Sequence, residues 1–202
     1  INFLFLALCH QIKTPTVTKA IGGNIIIPLF SYPKLYNPNF SKTVTLICEH
    51  NEFGSLGLII NRPIEGNLNQ LLEELQIASD EQLESTPILQ GGPVGTERGF
   101  VIHNQGAWKH TSQINDWINI TSSKDILESI SNGMGPDNCL LVLGYSGWGP
   151  GQLESEIRTN SWLSIPFSDE ILFNTPFQHR WEKSIGSLGI NAQNLSEEIG
   201  HA

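Results

Sequence analysis

Cys48, Glu49, His50 and Asn51 stand side by side in the run TLICEHN, and a further histidine, His103, closes the run GFVIH. Alternate side chains of an extended strand share a face, so Cys48 and His50 would point one way and Glu49 the other. A thiol beside an imidazole can form a thiolate nucleophile, and His103, at the end of a second strand, would lie beside the pair. The same three side chains, with Glu49, are the nearest the chain comes to a metal-ligand set. They lack CxxC or HxxxH spacing, so no metal and no cofactor is expected. Cys48 sits inside an apolar run, where cysteine usually behaves as an inert small hydrophobe. His50, next to a turn, fits a side chain that satisfies turn backbone. A binding role is therefore the first expectation, and an enzyme built on Cys48, His50 and His103 is the alternative.

Other segments invite chemistry more weakly. GGPVG, with Gly91 and Gly92, and GYSGWGPG suggest a phosphate cradle, since a helix beginning near Pro150 would offer its N-terminus to an anion. Neither run is GxGxxG or ends in the Lys-Ser or Lys-Thr of a P-loop, and Glu154 and Glu156 would oppose a phosphate there. Positive φ and close backbone contact explain the glycines better. Ser146 follows a strand and precedes a helix, but GYSG lacks the fifth position of a nucleophile elbow and names no acid or base partner. Gln152 and Glu156 share a helix face, with Glu154 off it, and Arg62 and Arg98 are the expected cationic partners. Asn61 and Arg62 lie at the far end of the hairpin that carries Cys48. Trp148, flanked by glycines, reads as a loop residue able to cap a pocket; the tryptophans at 108, 117, 162 and 181 suit core packing.

The elements that must position these residues follow from pattern. Thr43 to Pro63 reads as strand, tight turn and strand, with NEFGS as turn chemistry. NIIIPLF, 24–30, is a first strand in which Pro28 implies an edge position or an early end. Leucines 68, 71, 72 and 75 predict a helix capped by Asn67. Short strands are expected at 87–90, 99–103, 118–122, 162–167 and 171–173. SKDILESISN predicts a helix capped at Ser122 or Ser123, with Asp125 near the positive end of its dipole. NCLLVLGY is an unbroken apolar run, hence a central strand buried on both faces. Pro150 opens one helix at its first position, and Thr175-Pro176 starts the last. Strands and helices do not alternate regularly, which favours α+β over a doubly wound sheet.

Composition narrows the function. The chain has 202 residues and 39% hydrophobic residues, enough for one domain with a real core. Its 11 Lys and Arg are scattered against a net charge of -9, so direct DNA binding is not expected. Three cysteines without CxxC point to a reducing compartment. The chain starts at Ile1 with INFLFLALC, too short for the ~20 residues of a membrane span, and 1–21 is read as a disordered leader. No membrane association is expected.

ICEHN, GSLGLIINRP, ILQGGPV with RGFVIH, LGYSGWGPGQLESEI, and NSWL before a Trp-bearing last helix occur in that order. Together they resemble the YqgE/AlgH family of bacterial proteins, from about Gly22 to the C-terminus. The resemblance implies a single α+β domain over 22–202, with a mostly antiparallel, barrel-like β core and about four flanking helices, in the cytoplasm. One branch of the family carries a transcriptional-regulator label, which names no reaction. The expected function is a regulatory or binding protein acting through a protein or small-molecule partner and touching transcription only indirectly. Its signature residues, Cys48, Glu49, His50, Asn51, Asn61, Arg62, Gly91, Gly92, Arg98, His103, Trp148, Gln152, Glu154 and Glu156, are expected to line one cleft.

Overall fold

A computed structural model describes residues 24–28 (backbone only for 25–28), 40–78, 83 and 86–189. The leader over 1–21, most of the loop over 31–41 and the tail beyond Gly189 lie outside the described residues. Ten strands and four α-helices are described: β1 (Ile25–Pro28), β2 (Thr45–Asn51), β3 (Gly54–Ile59), β4 (Pro63–Asn67), α1 (Leu68–Glu74), β5 (Pro87–Gln90), β6 (Val94–His103), β7 (Thr111–Gln113), β8 (Asn119–Thr121), α2 (Lys124–Ser131), β9 (Cys139–Trp148), α3 (Gln152–Arg158), β10 (Trp162–Ile165) and α4 (Arg180–Ser187).

The strands form one curled sheet, a half-barrel, in the order β10-β1-β2-β3-β9-β6-β8-β7, with β5 joining β4 to β9. Pairing is antiparallel throughout except between β5 and β9. The expected α+β architecture with about four helices is the observed one.

NCLLVLGY is the centre of the sheet, as its unbroken apolar character predicts. Along one side β9 pairs with β6; along the other it pairs first with β5, at Leu141–Leu143, and then with β3, at Ser146–Trp148. The change of partner falls at Gly144, whose φ of 73° only glycine adopts without strain. Gly91 fills the junction: its N–H donates to the Leu143 carbonyl at 2.7 Å and its own carbonyl accepts from Ile59 N–H at 2.9 Å. A Cβ on Gly91 would stand 2.3 Å from the Gly144 oxygen, and one on Gly92 2.2 Å from the Tyr145 carbonyl carbon. These two glycines let three backbones meet.

One apolar cluster fills the concave side, from Val44, Leu46 and Leu58 to Ile171, Trp181 and Ile185 of the C-terminal segment. A second lies under α1 and α2, joining Leu68, Leu72, Ile126 and Leu127 to Val101 and Leu141. The third, around Ile47, Trp148, Leu153 and Trp162, fastens α3 to the hairpin. Asn67 caps α1 in a reciprocal box with Gln70, each side chain bonding the other's backbone N–H.

Five expectations need correction. The last α-helix begins at Arg180 and not at Thr175-Pro176, because Pro176 is extended (φ -54°, ψ 142°) and a 3-10 turn over Phe177–His179 intervenes. Of the two readings of Pro28 the edge position is wrong, since β1 lies between β10 and β2, while the early end holds, since β1 closes at Pro28; residues 29–30 lie outside the described residues. β6 begins at Val94, five residues before Gly99, because it follows β9 past Gly144. α3 begins at Gln152, since Gly151, with φ 70°, is not helical. Residues 171–173 lie in a π-helical turn, Glu170–Asn174, whose apolar residues face the core. Among the described residues no helix is long and apolar enough to cross a membrane.

Candidate functional site

The hairpin carries a β-bulge at Cys48. Ile47 opposes Gly57, but Glu49 opposes Leu56, so Cys48 is the extra residue and the alternation of faces shifts there. Leu46 and Cys48 pack on the concave cluster, whereas Ile47 faces α3. Beyond the bulge Glu49 joins the concave face with Leu56, and His50 turns to the α3 face with Ser55. The expected pairing of Cys48 with His50 on one face is therefore wrong, because strict alternation does not survive the bulge. Burial pushes the Cys48 thiol far above its ordinary pKa, and Glu49 adds to the shift against a bond with the Leu58 backbone. Such a thiol is the opposite of an activated one.

On the α3 face the polar groups are closed on one another. His50, 8% exposed, shares a 2.7 Å hydrogen bond between its Nδ1 and the Ser55 hydroxyl, and its Nε2 lies 3.6 Å from Glu154 Oε1. Glu156 Oε2 accepts the indole N–H groups of Trp148 at 2.9 Å and Trp162 at 2.7 Å, while Oε1 accepts Gln152 Nε2 at 2.8 Å. Gln152 Oε1 in turn accepts Gly149 N–H at 3.0 Å. Trp148 is a buried strand residue and not a loop cap. Glu154 faces His50 and Glu156 accepts two indoles, whereas the Arg62 guanidinium reaches the Ser41 carbonyl and Arg98 lies beside Glu97.

On the opposite face, where β3 meets the end of β9, an open hollow of about 310 Å³ is lined by Glu49, Asn51, Phe53, Leu56, Tyr145 and Gly147 and also touches Gly54, Ser55 and Trp148. Gly147 is exposed, and its missing side chain keeps the hollow empty. Gly54 closes the turn: with φ 135°, its Cα sits so near β9 that a Cβ would lie 2.2 Å from the Trp148 oxygen. Glu49 is held in place by Asn51, whose Nδ2 donates to Glu49 Oε1 at 2.6 Å while its Oδ1 accepts Phe53 N–H at 2.8 Å.

The remaining signature residues lie elsewhere. His103 opposes Cys139 at the start of β9, whereas Ser55, the partner of His50, opposes Trp148 at its end. That strand is ten residues long, so the two histidines sit at opposite ends of a path of up to ~30 Å at ~3.3 Å per residue. His103 is 0% exposed. Its Nδ1 reaches the Gln105 carbonyl at 2.9 Å and its Nε2 the Thr121 hydroxyl at 2.8 Å. A carbonyl can only accept, so Nδ1 carries the proton and Nε2 accepts from Thr121. Asn61 ties the far end of the hairpin, accepting Val44 N–H and donating to the Lys42 carbonyl, and Arg62 donates to the Ser41 carbonyl. Arg98 pairs with neighbouring Glu97. Ser146 is buried with its hydroxyl toward the Gly91 carbonyl, which leaves it no nucleophile's role. The single expected cleft thus resolves, among the described residues, into separate places, and the one holding Glu49 and Asn51 is open.

Three features escaped the sequence. Tyr145 and Gly147 line the hollow only because of the register shift at Gly144, which residue types do not announce. Phe53, in the turn, is 76% exposed, and Trp117 is 71% exposed and not core. Arg180 is 2% exposed, with its guanidinium bonded to the Thr175 and Ile60 carbonyls and stacked 4.4 Å from the Phe177 ring centre. Among the described residues no group of three or more His, Cys, Asp and Glu is arranged to hold a metal ion.

The motif order and this fold meet in the comparisons with known proteins. A family model described as AlgH-like (DUF179) matches residues 28–193. The chain belongs to the AlgH-like family. A UPF0301 protein of Nitrosococcus oceani is 45% identical over 176 residues, covering 86% of this chain and 94% of the relative. One from Nitrosospira multiformis is 46% identical over 176 residues, covering 86% and 95%. The solution structure of the AlgH protein from Pseudomonas aeruginosa superposes with a TM-score of 0.76 at 37% identity, covering 93% of this chain and 99% of that one. A crystal structure of a Corynebacterium diphtheriae protein shares the fold, with a TM-score of 0.65 at 18% identity over 83% of this chain and 86% of that one. The AlgH-like fold is thus common ground; it does not by itself supply a reaction.

Proposed function

We propose that this AlgH-like protein is a non-catalytic binding protein of the cytoplasm that engages a protein or small-molecule partner at the hollow beside the β2–β3 turn, and that any effect on transcription is indirect. One observation carries the reading: the groups an enzyme would need are apart or closed, while the hollow is open. Cys48 packs into the core on one face, His50 is hydrogen-bonded to Ser55 and faces Glu154 on the other, and His103 stands at the far end of β9. Glu49, Phe53 and Tyr145 instead border about 310 Å³ of accessible space. The free thiols of Cys48 and Cys139 fit a reducing compartment. The net charge of -9 argues against duplex DNA as the direct partner.

The test is a small-fragment screen by amide NMR on the 15N-labelled protein, with neutral, anionic and cationic fragments. Saturable shifts should gather on residues 49–56 and 145–148. Shifts gathered elsewhere, or none there with any fragment, would refute the hollow as the working site. Saturable binding of a DNA duplex at physiological salt would refute indirect action.

A further inference from the structure

We infer that the hollow receives the cationic end of an arginine or lysine side chain from a partner polypeptide; this rests on the reading of the hollow as the binding site. The argument begins with the bulge at Cys48. Without the extra residue Glu49 would face α3; with it, a carboxylate is placed among Leu56, Tyr145 and Gly147 on a wall that also carries the Asn51 amide. That carboxylate is fixed in direction. Asn51 Nδ2 occupies Oε1 at 2.6 Å, and Asn51 is itself fixed by Phe53 N–H. Among the described residues no hydrogen bond reaches Glu49 Oε2. A half-used, pre-oriented carboxylate presents an acceptor without the entropy cost of ordering it on binding.

Aromatic rings complete the receptor. Tyr145 lines the hollow and is held edge-on by Phe100, with ring centres 6.3 Å apart. Phe53 stands at the rim. A cation between Glu49 and the Tyr145 ring gains from both the charge and the ring quadrupole, and guanidinium suits this setting best because it is weakly hydrated and planar; Phe53 lies outside that contact. An anionic group would meet Glu49 directly, with the exposed Glu52 in the adjoining turn. The whole-protein charge of -9 favours the same sign of partner. Phe53 decides between a free amine and a side chain: with 76% of its surface in solvent it offers apolar contact beyond the hollow, which a residue flanking the cation on a polypeptide would cover.

The experiment titrates the labelled protein with an acetylated Leu-Arg-Leu amide, the same peptide with citrulline in place of arginine, and arginine amide alone. Citrulline keeps the shape and removes the charge. The arginine peptide should shift the amides of Glu49, Asn51, Leu56, Tyr145 and Gly147. The citrulline peptide and the isosteric E49Q protein should each weaken binding roughly tenfold, as for a lost charge-assisted hydrogen bond. F53A should weaken the peptide but not arginine amide. Equal binding of the citrulline peptide, unchanged binding by E49Q, or no shift at these residues with arginine overturns the cationic assignment. If neutral or anionic fragments still bind there, the hollow stands as a site for a different guest; if none do, the binding reading falls as well. An F53A protein that weakens arginine amide equally overturns the polypeptide source.

Discussion

The indole N–H of Trp148 donates to Oε2 of Glu156 at 2.9 Å, and the same oxygen accepts the indole of Trp162 at 2.7 Å. The two rings meet edge to face with centres 5.8 Å apart, so one carboxylate from α3 fixes the end of β9 and the start of β10 together. Replacing Glu156 by alanine leaves two indole donors without an acceptor. The expected loss is about 2–4 kcal/mol of unfolding free energy, read by urea denaturation. A loss under roughly 1 kcal/mol, within reach of an ordinary surface substitution, would show that this carboxylate does not hold the three elements.

His103 should make the protein lose stability on the acid side. Burial lowers its pKa, partly offset by its bond to the Gln105 carbonyl. Its surroundings are the Thr121 hydroxyl and the Trp108 ring, perpendicular to it with centres 5.1 Å apart, and among the described residues no carboxylate is bonded to it. The unfolded histidine takes its proton near pH 6.5, while the native one refuses it until lower pH. Below about 6.5 the unfolded state therefore binds more protons, and stability falls as pH falls towards the native pKa. Unfolding free energies measured from pH 7 to 4.5 should drop less steeply for H103N than for the parent chain. Parallel curves would contradict the buried, neutral assignment.

The thiols should act in the opposite direction. Burial pushes Cys139 up to about 11 and Cys48 higher still. An unfolded thiol ionises near 8.5, so between there and about 11 the unfolded state sheds protons the native state keeps. Stability should decline as pH rises through this window, and a C48A/C139A protein should show a flatter decline. In a C9S background, neither thiol should react with a disulfide reagent at pH 8 until the chain is unfolded. Fast reaction of folded Cys48 would restore the thiolate enzyme.

Much of this architecture can be read from residue patterns. The leucine spacing and Asn67 define α1, the apolar run defines β9, and the ICEHN to INRP stretch defines the hairpin. These signals are local: periodicity, caps and turn residues act within a few positions of where they are written. The site is less legible because two insertions into the strand pattern decide it. The bulge at Cys48 moves Glu49 to the face of Tyr145 and takes His50 away from Cys48. The positive φ of Gly144 moves Tyr145 and Gly147 to that same face. Both depend on which strand lies alongside, and that is settled by the whole sheet. The π-helical turn at 170–174 reads as a strand for a related reason, since Ile171, Leu172 and Phe173 show apolar content without a period.

The central claim is that this molecule works through the hollow and not through cysteine chemistry. Gly147 is exposed and outside the left-handed region, so G147L can fill the hollow without backbone strain, while C48A removes the thiol. Each variant, checked for native melting, would replace the chromosomal copy in the host, and the transcript profiles would be compared with parent and deletion strains. The account predicts that G147L reproduces the deletion profile and C48A matches the parent. A G147L strain like the parent beside a C48A strain like the deletion would contradict it.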